Sequence, residues 1–354
     1  MGEGLCASLG VLLVKRAFSG TAVLISQREI WKPWQEVIKK TFSQVELPLK
    51  VFLSPGGPRS ELSKTTRVLL ETIRLLARVD QRGLGIFIVA LGGGAVGDLA
   101  GFAASIYRRG IPYVQVPTTL TAQVDSAIGG KTALDLPEGK NLLGTIYQPR
   151  LVILDPAFLG SLSDALFAEG LAEVVKYGVI GGGRFLRHLE ENHSRILRRE
   201  IKYLLKVIQA CVRFKARIVS RDEFDKRDTR IVLNFGHTFA HAIEAAVSYR
   251  GYSHGEAVSM GMVMAMRLSH VLGILKEPDL MSRVESLLSN LGLPVVLKRQ
   301  VKTSAILNKM RFDKKRRNGV MRFVLIERAG KTVVVNDVST DLIREVIESG
   351  RETP

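Results

Sequence analysis

Cysteine is nearly absent: Cys6 and Cys211 are the only two in 354 residues. Neither belongs to a C-x-x-C pattern, so a disulfide framework and a thiolate metal site are both excluded, and a reducing, cytoplasmic setting fits. Long apolar runs are lacking too. The stretch LCASLGVLLV (5–14) is too short to cross a bilayer. It follows Glu3 and precedes Lys15–Arg16, the reverse of a secretory signal. It reads as a buried strand or a structural remnant, and no membrane partner is expected. Acidic residues are also in deficit, with 34 against 51 Lys and Arg, for a net charge of +17. Such an excess points to a solvated basic surface, a nucleic acid or an anionic small molecule. Much of it lies in 184–230 and in RFDKKRR (311–317). These stretches lack the interleaved aromatics of RNA-binding sheets, and no zinc-finger or basic-zipper pattern is present, so no nucleic-acid partner is expected.

What the chain does have is ordinary for a globular protein: 46% hydrophobic and 24% charged residues. Its length suggests two domains. In the first half, TAVLISQ (21–27), LKVFLSP (49–55), GIFIVALGGG (85–94), IPYVQVPTT (111–119) and RLVILDP (150–156) read as buried strands ended by turn residues. SKTTRVLLETIRLLARV (63–79) has helical spacing. Strands alternating with helices imply a largely parallel sheet. From Leu162 onward strand candidates are few. GLAEVVKYGVI, IKYLLKVIQACVRFKARIV, GHTFAHAIEAAV and GEAVSMGMVMAMRLSHVL read as helices. The expected architecture is an α/β, Rossmann-like N-terminal domain over 1–160, followed by a mostly α-helical domain over 161–354.

IFIVALGGGAVGDLAGFAA runs from strand through glycines into helix, and Gly92, Gly94 and Gly97 satisfy G-x-G-x-x-G. Glycine lets backbone approach a phosphate, and a helix start offers free N–H groups to an anion. Against this, the turn follows a late strand, and no acidic residue ends a strand about 20 residues on. A dinucleotide is therefore expected only in a non-standard version of the fold.

His237 and His241 are two of only six histidines and stand four apart on one helical face. Most such pairs are structural. Here His254 follows in YSHGEAV, and Glu173 sits in LAEVVKYG. Imidazoles with a carboxylate suit a zinc-type ion with one position left open. Spacing alone does not choose the ligands, and His237 with His241 is the simplest pair. A second group is basic: DSAIGGKTALDLPEGKN carries Lys131, Lys140 and Asn141 in what reads as a Gly-rich loop. Lys176 shares a helix face with Glu173. Cations gathered in this way clamp phosphate or carboxylate.

Together, GGGAVGDLAGFAASIYRRG, QVPTTLTAQVDSAIGGKTALDLPEGKNLLGTIYQP, GLAEVVKYG and NFGHTFAHAIEA…SHGEAVSMGM resemble 3-dehydroquinate synthase, of the sugar-phosphate cyclase superfamily, from about Glu61 to Arg322. The resemblance implies a dehydroquinate synthase-like fold, with an NAD-binding α/β domain before a helical one. It also implies bound NAD, a divalent metal (zinc or cobalt) and a homodimer. The implied reaction takes 3-deoxy-D-arabino-heptulosonate 7-phosphate to 3-dehydroquinate and phosphate. Its steps are transient oxidation, phosphate elimination, reduction and intramolecular aldol closure.

By the same resemblance Glu173, His237 and His254 are the metal ligands, and His241 faces substrate and moves protons. Gly92, Gly93, Gly94, Asp98, Thr118 and Thr119 match the nicotinamide-dinucleotide loop and its continuation. Glu61 and Lys64 match its adenosine end, and Lys140, Phe158 and Ser161 fall with the cofactor. Asp125, Lys131, Asn141, Lys176 and Lys215 match substrate or cofactor contacts, while Arg230 and Asn234 match substrate contacts. Arg109 is implied to reach in from a partner subunit, and one lysine of the pair Lys314–Lys315, with Lys314 preferred, to stand on the phosphate side.

Three positions depart from the family pattern: Gln27 where Asn is usual, Arg59 in place of an acid, and Asp135 in place of Asn. The rival readings are a sister cyclase acting on another sugar phosphate, an NAD- and metal-dependent polyol dehydrogenase, and a degenerate nucleic-acid binder. The polyol enzyme lacks the GGKT…GKN lysines. Arg230 and Asn234 favour a carboxylate-bearing substrate.

Overall fold

The structure, a computed structural model, describes residues 1–56, 60–81, 85–248, 250–316 and 321–352, without the side chains of 60, 61 and 312–316. Arg59 therefore lies outside the described residues, and so do the side chains of Glu61 and Lys314. The chain divides into two compact units, Met1–Leu162 with Leu204–Val212, and Ser163–Tyr203 with Arg213–Pro354.

The first unit begins with α1 (Leu9–Lys15), β1 (Thr21–Gln27), α2 (Arg28–Ser43), β2 (Leu49–Ser54) and α3 (Thr66–Asp80). It continues through β3 (Ile86–Gly92), α4 (Gly94–Ile106), β4 (Tyr113–Pro117), β5 (Lys131–Leu136), β6 (Gly139–Ile146) and β7 (Leu151–Val152). Five strands form a sheet in the order β2-β1-β3-β4-β7, and every pairing in it is parallel. Both faces are covered, which is why β1 and β3 are buried at every position and centre on the apolar runs 22–25 and 86–91. Alternation along each strand divides the core. Ala22, Leu24, Phe87 and Val89 pack with Leu9, Leu13, Trp31 and Phe42 of α1 and α2. Val23, Ile25, Ile88 and Ala90 pack with Val68, Leu76, Leu99 and Ala103 of α3 and α4.

The N-terminal stretch, expected as a strand or a remnant, is a 3₁₀ turn (Leu5–Ser8) leading into α1. Cys6, Leu9 and Leu13 are all buried, a helical rather than a strand spacing. Gly10 lies so near α2 that an added Cβ would meet the Thr41 carbonyl oxygen at 2.3 Å. Its N–H donates to Thr41 Oγ1 at 3.0 Å. The segment is pinned by Asp155, which is fully buried and accepts the N–H groups of Gly4, Cys6 and Ala157, each at 3.0 Å.

The expected Gly-rich loop around Lys131 is an antiparallel hairpin, β5–β6, with a register shift between Leu134 and Leu136. Its alternation is Thr132 and Leu134 inward, with Lys131 outward. Glycine content masked this period.

From residue 163 the chain forms α5 (Asp164–Gly181), α6 (Gly183–Leu197), α7 (Ile201–Val219), α8 (His237–Ala246), α9 (His254–Val271), α10 (Leu280–Asn290) and α11 (Thr303–Arg316). An antiparallel pair, β8 (Arg322–Arg328) and β9 (Lys331–Asn336), and α12 (Thr340–Ser349) follow. α9 is buried at most positions, and α8 meets it closely: a Cβ on Gly261 would lie 2.3 Å from the Gly236 carbonyl oxygen.

Candidate active site

Three helices of the second unit bring Glu173, His237 and His254 together. One ligand atom from each lies within 4.8 Å of the others. Glu173 stands mid-way along α5, while His237 and His254 are the first residues of α8 and α9. The start of α9 is fixed by a capping box: Ser253 Oγ accepts the Glu256 N–H at 3.3 Å, and Glu256 Oε2 accepts the Ser253 N–H at 2.7 Å.

Both imidazoles turn Nε2 toward Glu173 Oε1, at 3.5 Å for His237 and 3.3 Å for His254. Their other nitrogens are engaged as well. His237 Nδ1 lies 3.2 Å from the Phe235 carbonyl oxygen, and His254 Nδ1 lies 3.4 Å from Glu244 Oε2. Lys176 Nζ approaches Glu173 Oε2 at 2.5 Å, and both side chains are buried. That oxygen makes an ion pair there but no aligned hydrogen bond among the described residues.

The electrostatics follow from this crowding. Burial pushes the Glu173 carboxyl up, but the Lys176 charge and the His237 and His254 bonds hold it well below the usual carboxylate range. Burial pushes His254 down, yet its bonds to Glu173 and Glu244 raise it to about 10. The His241 ring lies 5.4 Å from that of His237 but is exposed and outside the triad. The simple His237–His241 pair is thus not the cluster that forms.

Other expected residues are near by in sequence order. Lys215 and Arg230 are buried, and Arg230 Nη1 donates to the Glu223 carbonyl at 3.1 Å. Asn234 is exposed. The turn ahead of Arg230 is tied by Asp222, whose carboxylate accepts the backbone N–H groups of Lys226 at 2.8 Å and Arg227 at 3.1 Å.

In the first unit, β3 ends at Gly92 and α4 starts at Gly94, so the glycines form the expected strand–turn–helix. Their role is space rather than left-handed backbone. A Cβ on Gly92 would meet Val96 at 2.6 Å, and one on Gly97 would meet Gln115 at 2.8 Å. Thr118 donates its N–H to the Gly92 carbonyl at 3.0 Å, and Thr119 packs beside Gly93. Asp125 lies on a short π-helical turn, Ala122–Ser126.

Lys64 gathers a second cluster. Its Nζ is 2.9 Å from Asp98 Oδ2 and 3.8 Å from Asp135 Oδ1, and it donates to Asn141 Oδ1. Asn141 adopts φ 56° and gives its N–H to Asp135 Oδ1 at 2.8 Å, so the departing Asp135 is part of this cluster. Lys131 and Lys140 are exposed on the hairpin. Phe158 is buried, edge-on to Trp34 at 4.6 Å, and Ser161 Oγ donates to its carbonyl. Arg109 is exposed, in a turn where Arg108 and Arg109 both have positive φ, 48° and 64°.

Comparison with known proteins decides the family. Residues 57–169 match the family described as 3-dehydroquinate synthase N-terminal, and 170–316 match 3-dehydroquinate synthase C-terminal. The chain belongs to the 3-dehydroquinate synthase family. A 3-dehydroquinate synthase of Pelobacter propionicus is 41% identical over 340 residues, covering 96% of this chain and 93% of its own. Two solved cyclases share the fold. The 2-epi-5-epi-valiolone synthase of Streptomyces hygroscopicus, with NAD+ and Zn2+ bound, has a TM-score of 0.86 at 26% identity. A 2-deoxy-scyllo-inosose synthase complexed with carbaglucose-6-phosphate, NAD+ and Co2+ has 0.82 at 28%. Each covers 99% of this chain and 95% of its own. The motif resemblance and the expected fold are borne out. Among the described residues no helix is long and apolar enough to cross a membrane.

For this member of the 3-dehydroquinate synthase family, sequence reasoning passed over Glu244. It lies three residues after His241 and seven after His237, on the same helical face, and that spacing was the available signal. Glu169 was missed as well. Burial raises its carboxyl, while the charge of His254 counteracts.

Proposed function

We propose that this chain is an NAD- and metal-dependent carbon–oxygen lyase converting 3-deoxy-D-arabino-heptulosonate 7-phosphate to 3-dehydroquinate and phosphate. The step belongs to the shikimate route to aromatic amino acids. Family membership across nearly the whole chain carries the reading. The donor set adds support: two imidazole Nε2 atoms and a buried carboxylate suit zinc or cobalt with a position left open.

In this reading residues 1–160 bind NAD and 161–354 bind metal and substrate. Glu173, His237 and His254 hold the ion. When bound, NAD supplies a reversible hydride acceptor and the metal acidifies a substrate hydroxyl. The chain's own residues bind, orient and move protons. Lys176 offsets the Glu173 charge from within the same helix. His241, exposed beside His237, exchanges a proton with the substrate. Lys131, Asn141, Lys215, Arg230, Asn234 and Lys314 receive its anionic and hydroxyl groups, joined by Arg109 of a partner subunit in a homodimer. Asp125 orients the sugar. The Gly92–Gly94 turn, Asp98, Thr118, Thr119, Glu61, Lys64, Lys140, Phe158 and Ser161 serve the dinucleotide. A phosphate and a carboxylate account for this collection of cations without nucleic acid. The enzyme works in the cytoplasm.

A sister-cyclase reading is favoured by the two solved neighbours, but at 26% and 28% identity they stand further off than the named 3-dehydroquinate synthase at 41%. The deciding experiment is phosphate release with zinc or cobalt and catalytic NAD. Release is expected from 3-deoxy-D-arabino-heptulosonate 7-phosphate, without accumulation of NADH. Release from sedoheptulose 7-phosphate or glucose 6-phosphate instead would assign the chain to a sister cyclase. Accumulating NADH would mark a polyol dehydrogenase.

A further inference from the structure

His254 is held at both ends of its ring. Nε2 faces Glu173 Oε1 at 3.3 Å, and Nδ1 faces Glu244 Oε2 at 3.4 Å. The Glu244 side chain is only 9% exposed. Such burial is unusual for a carboxylate on a helix that reads as amphipathic, because a buried acid needs partners. His237 has the parallel arrangement with a weaker acceptor, its Nδ1 lying 3.2 Å from the Phe235 carbonyl. In each ring the outer nitrogen faces an oxygen acceptor. With an ion on the Nε2 side, under the metal reading, that outer acceptor holds the proton on Nδ1 and leaves the Nε2 lone pair for the ion.

We propose that Glu244 is a positioning residue for the metal centre: its carboxylate orients His254, keeps the Nδ1–H tautomer and makes Nε2 a stronger donor. The proposal rests on the metal reading above. Glu244 also adds a second buried negative charge beside a divalent ion. With Glu173 it places two buried carboxylates against the ion's two charges. His237, backed by a neutral carbonyl, receives no such gain. The two imidazoles are therefore unequal donors, and His254 is the tighter one.

The test uses the full-length protein, stripped of metal and titrated with zinc against a chromophoric chelator. Wild type is expected to bind one equivalent. Loss of an outer-shell partner of this kind costs about 10–100-fold in metal affinity. Glu244→Ala is expected to fall in that range. Glu244→Gln, whose amide oxygen still accepts from Nδ1, is expected to lose less. The exposed Glu191→Gln should leave affinity unchanged. Circular dichroism checks that each variant is folded, and the isosteric Gln variant carries the test if Ala does not fold. With cobalt in place of zinc, the visible ligand-field bands should shift in both Glu244 variants and not in Glu191→Gln. A purely structural role would leave those bands in place. Folded Glu244 variants with wild-type zinc affinity and unshifted cobalt bands would overturn the proposal while leaving the metal reading intact. Wild type that binds no zinc would overturn both.

Discussion

Lys64 Nζ lies 2.9 Å from Asp98 Oδ2, with 4% of the lysine side chain exposed, and Asp135 and Asn141 close around the same ammonium. This one cation ties the 60–64 turn, the start of α4 and the β5–β6 hairpin together. Lys64→Met should leave two partly buried carboxylates without it. Each charge-assisted bond lost costs about 1.5–3 kcal/mol of stability, and under the proposed function NAD affinity should fall as the turn, α4 and the hairpin come apart. Isothermal titration with NAD reads the loss. Unchanged affinity would remove Lys64 from the cofactor site.

Asp155 anchors the N-terminal segment through two of its backbone N–H groups, those of Gly4 and Cys6, and accepts that of Ala157 as well. Asp155→Ala strands those donors in a buried setting, at about 1–3 kcal/mol for each that finds no water. The segment should detach locally. Cys6 is the reporter, because burial, with the Asp155 charge, pushes its thiol up to about 12 and leaves it inert at neutral pH. An aromatic disulfide reagent should therefore modify Cys6 quickly in Asp155→Ala and slowly in wild type. Equal rates would mean that the packing of Leu9 and Leu13 alone suffices.

The Asp222 carboxylate gives a pH dependence. Desolvation would raise it, but the backbone N–H groups of Lys226 and Arg227 and the contacts of Thr229 set it below its ordinary value. A carboxylate lowered by folding adds stability above its unfolded value, about 3.9, and this is lost as pH falls through the lower folded value. Asp222→Asn should be less stable than wild type at pH 7, and the gap should narrow in acid. Urea midpoints measured across pH 7 to pH 3 test this. A constant gap would show that charge is not what Asp222 supplies.

Gly261→Ala should spread the site from behind. The new Cβ would meet the Gly236 carbonyl oxygen at 2.3 Å and the Ala240 nitrogen at 2.9 Å, and backbone cannot swing aside as a side chain does. Overpacking of this kind costs about 1–3 kcal/mol. Because α8 and α9 begin with His237 and His254, the strain should lower zinc affinity as well as the melting temperature. A variant that melts earlier yet binds zinc as before would separate helix packing from ligand spacing.

Much of the sheet was legible because strands covered on both faces cannot hide their burial: β1 and β3 centre on the apolar runs 22–25 and 86–91. The N-terminal helix was misread because Cys6, Leu9 and Leu13 lie within an apolar stretch too short to show a period, and the contact of Gly10 with Thr41 leaves no trace in the local sequence. The β5–β6 hairpin was hidden by its glycines. At the site, His237 and His241 stood out because a four-residue spacing is local. The partnership of Glu173 with His237 and His254 came only through family resemblance, since spacing cannot report which helices meet. Glu244 carries a helical-face signal, but its burial beside His254 depends on how α8 and α9 pack and is not written in the spacing.

The triad is also a statement about the order of assembly. Glu173, His237 and His254 belong to three helices, and no local piece of chain contains the finished set. A peptide copied from α8 would carry His237 and His241 without His254, and one copied from α5 would carry a carboxylate with no imidazole. The donors meet only where the three helices pack, so under the proposed function the ion's binding free energy would also be packing free energy for α5, α8 and α9.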